Sequence, residues 1–244
     1  MEEGEDLELL FTMTDYLPYV FKDQVASDYF ENLIDFSTKN LIDKDPHFSI
    51  AALHMVYMGA AYNYLYGLYR LSPKRFDSIL IGFHHMIPRD VGIRSWQDFS
   101  LIHESSIFDF FRHVGLKETD IKELKAPVKA RNDLVHSNGM YVVDTEAFVS
   151  ASKSMLRCIG KIENACFPGV KKLFFRFVRS EKVDLYDTED AIDYLRTYFF
   201  AEYAVSKRAV SSLSEISFSE YPDRKNSKKF FDALKWARRD LVTE

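Results

Sequence analysis

The chain has 244 residues, 47% of them hydrophobic and 15% aromatic, with a formal charge of −5. That much apolar side chain fills a sizeable core and excludes intrinsic disorder. Its 9 Gly and 7 Pro fall below the roughly 12% of average usage, too few for the turns of a β-sandwich or barrel, and Cys158 and Cys166 alone cannot form a disulfide framework. The acidic start MEEGED lacks the basic-then-apolar pattern of a secretory signal, so the expected setting is the reducing cytoplasm.

Residues 1–45 carry twelve acids against Lys22, Lys39 and Lys44, a charge of −9 that leaves +4 for the remainder. An acidic start of this kind is expected to be a solvated helical segment packed on the rest, with shielding of a basic site as the sharper alternative. Residues 46–69 contain no Lys, Arg, Asp or Glu, long enough to be weighed as a membrane span. Tyr57, Tyr62, Tyr64, Tyr66 and Tyr69 crowd its second half, and His47, His54 and Asn63 interrupt it. The expectation is therefore the central, buried helix of a bundle and no membrane span. Ala52, Gly59, Asn63 and Gly67 form a stripe of small residues along it, where another helix can approach closely.

The later elements follow the 3.6-residue period. Ser72 and Pro73 open a helix through Phe76, Ile79, Leu80 and Phe83, and Ser105 or Ser106 opens a short one that stops at Gly115. Asp120 and Glu123 have capping-box spacing ahead of a face made by Ile121, Leu124, Val128 and Val135, with Pro127 either kinking or restarting the helix. Asp144 or Thr145 caps a long helix expected to end before Pro168-Gly169; another spans about 188–210, and a last one follows a polar loop after Tyr221. With no long strand and no repeat, the expected class is all-α.

Chemistry concentrates in Lys129 to Gly139, KARNDLVHSNG. Arg131 and His136 flank the apolar stripe of one helix, about 140° apart around its axis, so a single helix cannot readily aim both at one atom. A second copy across a two-fold axis would supply the missing partner. Asn132 and His136 are i, i+4 neighbours, and Asn138-Gly139 is a plausible helix stop that leaves the imidazole in the last turn. An imidazole suits proton transfer, and a guanidinium suits a phosphate and the extra charge of a phosphorane.

This stretch resembles the R-x(4-6)-H motif of the HEPN (higher eukaryote and prokaryote nucleotide-binding) superfamily, in its form beginning Arg-Asn. The resemblance implies an up-and-down helical bundle with additional helices. It also implies a homodimer whose cleft gathers arginines and histidines of both protomers, and metal-independent cleavage of RNA by its own 2′-hydroxyl. Arg131, His136 and Asn132 would be catalytic, no cofactor would be needed, and the role would be that of a toxin or antiviral-defence effector, with an antitoxin or defence partner. The alternative is a non-catalytic RNA- or nucleotide-binding or regulatory module of the same fold. One family variant has Tyr two positions after the histidine; here that position is Asn138. The expected organisation is an acidic segment at 1–45, the bundle with the motif at 46–180 and a helical extension at 181–244.

Two basic, aromatic stretches are candidate RNA contacts through Lys172, Arg176 and Arg179 and through Lys228 and Lys229. No His, Cys, Asp or Glu spacing points to a metal, no phosphate-binding glycine loop is present, and the S-x-x-K spacing of Ser150 and Lys153 lacks its companion motifs.

Overall fold

The computed structural model describes residues 4–43, 45–80, 93–136, 144–182, 184–222 and 225–243. Within them the chain is helical, and the strand-like pairing they contain is one antiparallel bridge between Pro18 and Ser206. The helices are α1 (Glu5–Thr14), α2 (Gln24–Ile42), α3 (His47–Leu71), α4 (Pro73–Leu80), α5 (Glu104–Ile107), α6 (Glu118–His136), α7 (Thr145–Ser180), α8 (Thr188–Leu195), α9 (Ala201–Tyr203), α10 (Lys207–Ser214) and α11 (Ser227–Thr243). Tight 3₁₀ turns precede and follow α5 at Trp96–Leu101 and Phe108–Val114.

The uncharged run becomes α3, and its neighbours explain why it needs no charge. Leu53, Val56, Tyr57, Ala60, Ala61 and Leu65 are all fully buried. On one side Phe30 of α2 lies over Gly59, and Ser49 donates to the Ser37 carbonyl, so α2 runs antiparallel to α3. On another, Tyr57 donates to the Leu124 carbonyl while His54 reaches the Glu104 carboxylate that Arg131 also holds, so α6 is antiparallel as well. Glu123 and Asp120 meet Arg157 and Lys161, which makes α6 antiparallel to α7 in turn. Four helices thus alternate up and down, with α3 and α7 parallel and in contact. Among the described residues no helix is long and apolar enough to cross a membrane.

Several boundaries differ from the sequence expectation, each for a local reason. Helix α6 begins at Glu118, where Asp120 accepts from the Lys117 backbone N–H, while Glu123 turns outward to its ion pairs. Pro127 lies inside α6 without ending it. Its missing N–H leaves the Glu123 carbonyl without a helical donor, and the Cys158 thiol donates to that oxygen instead. Helix α7 does not end at Pro168 but runs through it to Ser180. The carbonyl that Pro168 deprives belongs to exposed Asn164, and Gly169 admits Leu68 and Leu71 against the backbone. The helix expected over 188–210 breaks at Ala204, which takes a left-handed φ of 49°, and restarts at Lys207 with Ser206 as its cap. The short helix after Ile102 starts at Glu104, one residue before the serines, and passes at Phe108 into the 3₁₀ turn that stops at Gly115 with φ 95°. Phe83 and residues 84–92 lie outside the described residues.

Two cores form along α7. Phe148 to Cys166 belong to the first, with α1, α2, α3 and α6; Leu173 to Val178 belong to the second, with α8, α10 and α11. Near their junction Glu163 is buried beside Asp15, Tyr16 and Arg208, pairing with the Arg208 Nε at 3.0 Å through one oxygen while the other has no partner among the described residues. Burial pushes its carboxyl up to about 7 despite the arginine. A carboxyl raised in the folded state favours folding while protonated. Its contribution is therefore complete below the ordinary value of 4.5 and is lost as pH rises through about 7.

Two stability predictions follow from the packing. Replacing Gly59 by Ala puts a Cβ 2.3 Å from the Phe30 ring, which is itself wedged between Phe21 and Trp96. Chemical denaturation should show a loss of about 1–3 kcal/mol even though Ala is the better helix former. Between pH 5 and 8 the wild type should lose on the order of 1–3 kcal/mol relative to Glu163→Gln, read as the difference between two urea-denaturation series; parallel pH profiles would show that Glu163 titrates normally.

Candidate functional site

Arg131 stands one turn beyond Pro127 on α6, beside the buried Leu124 and Val128 face, and its side chain remains 24% exposed. Its Nη2 donates to Oε2 of Glu104, the first residue of α5. That carboxylate is held firmly from behind. Phe108, Phe110 and Phe111, in the 3₁₀ turn that continues α5, are all buried; Phe108 stacks on Tyr57 and Phe110 on Phe76. The same Glu104 oxygen accepts from His54 Nε2 at 3.3 Å, and His54 is 2% exposed in the middle of α3. A carboxylate only accepts, so Nε2 carries the proton, and Nδ1 is the buried ring atom without a partner among the described residues.

The charges order themselves accordingly. The hydrogen bond from His54, the main cause, together with Arg131 holds the Glu104 carboxyl below its ordinary value against the opposing effect of burial. Burial drives the neighbouring Tyr62 hydroxyl well up; the Glu104 charge adds to this and Arg131 opposes it. Glu104 is thus an anion and Tyr62 a neutral phenol throughout the neutral range. Both contacts to Glu104 fall on Oε2, and Arg131 uses a single nitrogen of its guanidinium for this pair. A guanidinium has five donors, of which this pair takes one among the described residues.

Asn132 is half-buried next to Arg131, and His136 is the last residue of α6. The side chain of His136, and Asn138-Gly139, lie outside the described residues, so the proposed contact of Asn132 with the imidazole does too. The basic stretches sit far from this end of the bundle. Arg176 donates to the carbonyls of Arg70 and Leu71, capping the end of α3. Sixteen residues of helix separate Arg70 from His54, about 24 Å. Lys229 donates to the Leu185 carbonyl, and Lys228 pairs with Asp232 at 2.9 Å over the Phe231 ring. Lys172 and Arg179 are exposed on the same distant part of α7. Arg176, Lys228 and Lys229 are thus engaged in holding the fold, and none of the five basic residues adjoins Arg131. No group of three His, Cys, Asp or Glu among the described residues is placed to hold a metal ion.

The sequence singles out Arg131, whereas Glu104, which contacts it, and His54, which shares that carboxylate, lie 27 and 77 positions earlier and were not singled out as its partners. The available signals were a lone histidine in an uncharged helix and a carboxylate opening a phenylalanine-rich turn. Neither names its partner.

Removing the acceptor should be costly. Glu104→Ala leaves a buried His54 N–H and a half-buried Arg131 without their shared oxygen, a destabilisation of about 1–3 kcal/mol in urea titrations at neutral pH. Because the folded-state carboxyl is held low, its stabilisation is present above the ordinary value and is lost as pH falls through the lowered one. The gap between wild type and variant should therefore close in acid. Compared with protein-family models, curated proteins and solved structures, the chain matches none, and its chemistry rests on the side chains described above.

Proposed function

We propose that the chain is a metal-independent endoribonuclease of the HEPN type, acting as a homodimer and serving as a toxin or defence effector. The observation that carries this reading is the constraint on Arg131. Glu104, itself held by the buried His54, keeps it in place, and its side chain stays partly open to solvent on the helix that ends at His136. In the proposed step His136 removes the 2′-hydroxyl proton, and the 2′-oxygen attacks the adjacent phosphorus. The 5′-oxygen leaves with a proton from an acid, for which the partner's copy of the imidazole serves. The products are a 2′,3′-cyclic phosphate and a 5′-hydroxyl. Arg131 stabilises the charge of the phosphorane, and Asn132 contacts the phosphate or orients the imidazole.

A second reading draws on the same ion pair. Glu104 already neutralises Arg131, as suits a module that holds RNA or a nucleotide without cutting it. One assay separates the two. RNA incubated in excess chelator should be cut by the wild type to cyclic-phosphate ends, with Arg131→Ala and His136→Ala each slower by about 10²–10⁴-fold. The native mass should be twice 28.5 kDa. Equal cleavage by all three proteins, or cleavage abolished by chelator, would remove the mechanism, and RNA bound but uncut would favour the second reading.

A further inference from the structure

Where α2 runs antiparallel to α3, two apolar places on their shared outer face stand open. The first is a cavity of about 450 Å³ between the two helices and the Trp96–Leu101 turn, with Val25, Tyr29 and Met55 in its wall. The second is the pair Phe36 and Phe48, whose rings lie edge to face at 6.4 Å. These five side chains are 46–79% exposed. Both helices repeat the step from one place to the other: Tyr29 and Phe36 are seven residues apart on α2, as are Phe48 and Met55 on α3. Seven residues are two helical turns, about 10.5 Å. The Tyr29 hydroxyl bridges the seam to the Met55 sulfur at 3.4 Å.

An acid precedes the aromatic residue at each place on α2. Asp28 stands before Tyr29 and Asp35 before Phe36, both exposed, in the positions that flank the apolar seam of a heptad and set the charge of its partner. Asp28 accepts from Gln24 Nε2 at 2.7 Å, and neither carboxylate pairs with a base among the described residues. The α3 side of the seam carries no Lys, Arg, Asp or Glu before Arg70. Across the cavity, Ser100, Tyr62, Trp96 and Glu104 supply donors and acceptors alike, so that wall selects no charge. The charge of the seam therefore lies along its α2 edge and is negative.

We infer that this seam is a docking site for an amphipathic helix of another protein, apolar at i, i+3 or i+4 and i+7, with Lys or Arg along the edge that lies over α2. One apolar anchor enters the cavity and another, two turns on, covers Phe36 and Phe48, while the bases meet Asp28 and Asp35 at the same interval. The area suits a single helix. The five side chains expose roughly 500 Å², near the top of what a monomer leaves open as one patch and short of the about 800 Å² per partner of a standard interface between globular proteins. The α2 and α3 helices of a second copy would bring those same two acids, with Lys39 as the one base of α2. A small apolar molecule would fill the cavity and leave Phe36 and Phe48 uncovered. The inference stands apart from RNA cleavage and does not depend on it.

Two synthetic peptides of about three heptads test it. They share leucines at the apolar positions and carry either Lys or Glu at the flanking ones; a third has the composition of the basic peptide with its apolar period broken. Fluorescence anisotropy of the labelled peptides should show saturable binding of the basic one, about tenfold or more tighter than the other two. Phe36→Ser and Phe48→Ser should each weaken it by about tenfold, and Asp28→Lys combined with Asp35→Lys should transfer the preference to the acidic peptide. All four side chains are exposed, so helical content and the urea midpoint should stay those of the wild type. No saturable binding of the basic peptide, equal binding of all three, or binding unaltered by these substitutions would overturn the inference. The native mass should be the same in wild type and in the phenylalanine variants; a wild-type dimer that both variants render monomeric would assign the seam to a second copy and overturn it as well.

Discussion

The burial of α3 on nearly every side is the constraint on which the rest of this structure depends. A helix whose first 23 residues carry no formal charge at neutral pH can be surrounded, but every polar tip on it must then be answered by another element. Tyr57 takes the Leu124 carbonyl of α6, Tyr66 the Arg94 carbonyl, and Tyr64 the hydroxyl of Ser206, which also caps α10. Each of these bonds fixes the register of a neighbour against α3. His54 obeys the same rule, and what answers it is the Glu104 carboxylate. The charged cluster is in this sense a by-product of core satisfaction. Once a buried imidazole has secured Glu104, the carboxylate is in place to hold Arg131. Among the described residues the exceptions on α3 are His54 Nδ1 and Asn63, whose amide atoms are both unpartnered; Asn63 falls on the stripe where Gly59 and Gly67 admit Phe30 and the Tyr203 carbonyl.

What could be read from the chain beforehand follows from where the information resides. Local features were legible: the uncharged run as α3, Asp144 as the α7 cap, Gly115 as a left-handed stop, and the class as all-α. Pro168 misled because the cost of an interior proline depends on whether the deprived carbonyl reaches water and whether the ring has room. Both conditions are tertiary, and Pro168 meets both. Ala204 was hidden for the converse reason: an alanine in left-handed geometry is tolerated where Val205 and Ser206 tie the chain to Tyr19 and Pro18. The site divides the same way. Arg131, Asn132 and His136 share a helix and show themselves by spacing, whereas Glu104 and His54 reach Arg131 only by packing.

Charge asymmetry takes on a different meaning in three dimensions. Among the described residues, the charges of the first 45 positions that find partners elsewhere in the fold find them in different places. Glu5 pairs with Lys153, Lys22 reaches Glu202, and Asp23 caps its own helix and orients Gln97. Several bases of the later stretches are likewise neutralised nearby, Lys171 by Glu220, Lys225 by Asp184 and Arg238 by Glu215. Exposed pairs of this kind contribute little to stability, about 0–1 kcal/mol each, but they shrink the field a long polyanion would feel. On the proposed function, RNA affinity then depends less on a basic track than on a few oriented groups near Arg131.

On the proposed function, Arg131 must bind phosphate while a carboxylate holds it. Glu104 competes with any phosphate for the guanidinium. Because its own carboxyl is held low, it cannot relieve the competition by taking a proton near neutrality. A ground-state phosphodiester, with one negative charge, therefore binds more weakly than it would to a free arginine. The phosphorane bears an additional charge and competes better against the same carboxylate. On the proposed function the cost of leaving Glu104 falls alike on the bound phosphodiester and on the phosphorane, so the difference between them comes from the phosphorane's additional charge, while the pairing keeps the guanidinium oriented. Only interactions that strengthen on the way to the transition state accelerate the chemical step. On the proposed function the Arg131 guanidinium offers such an interaction through the growing charge of the phosphorane, and its pair with Glu104 contributes orientation from residues that also serve the core.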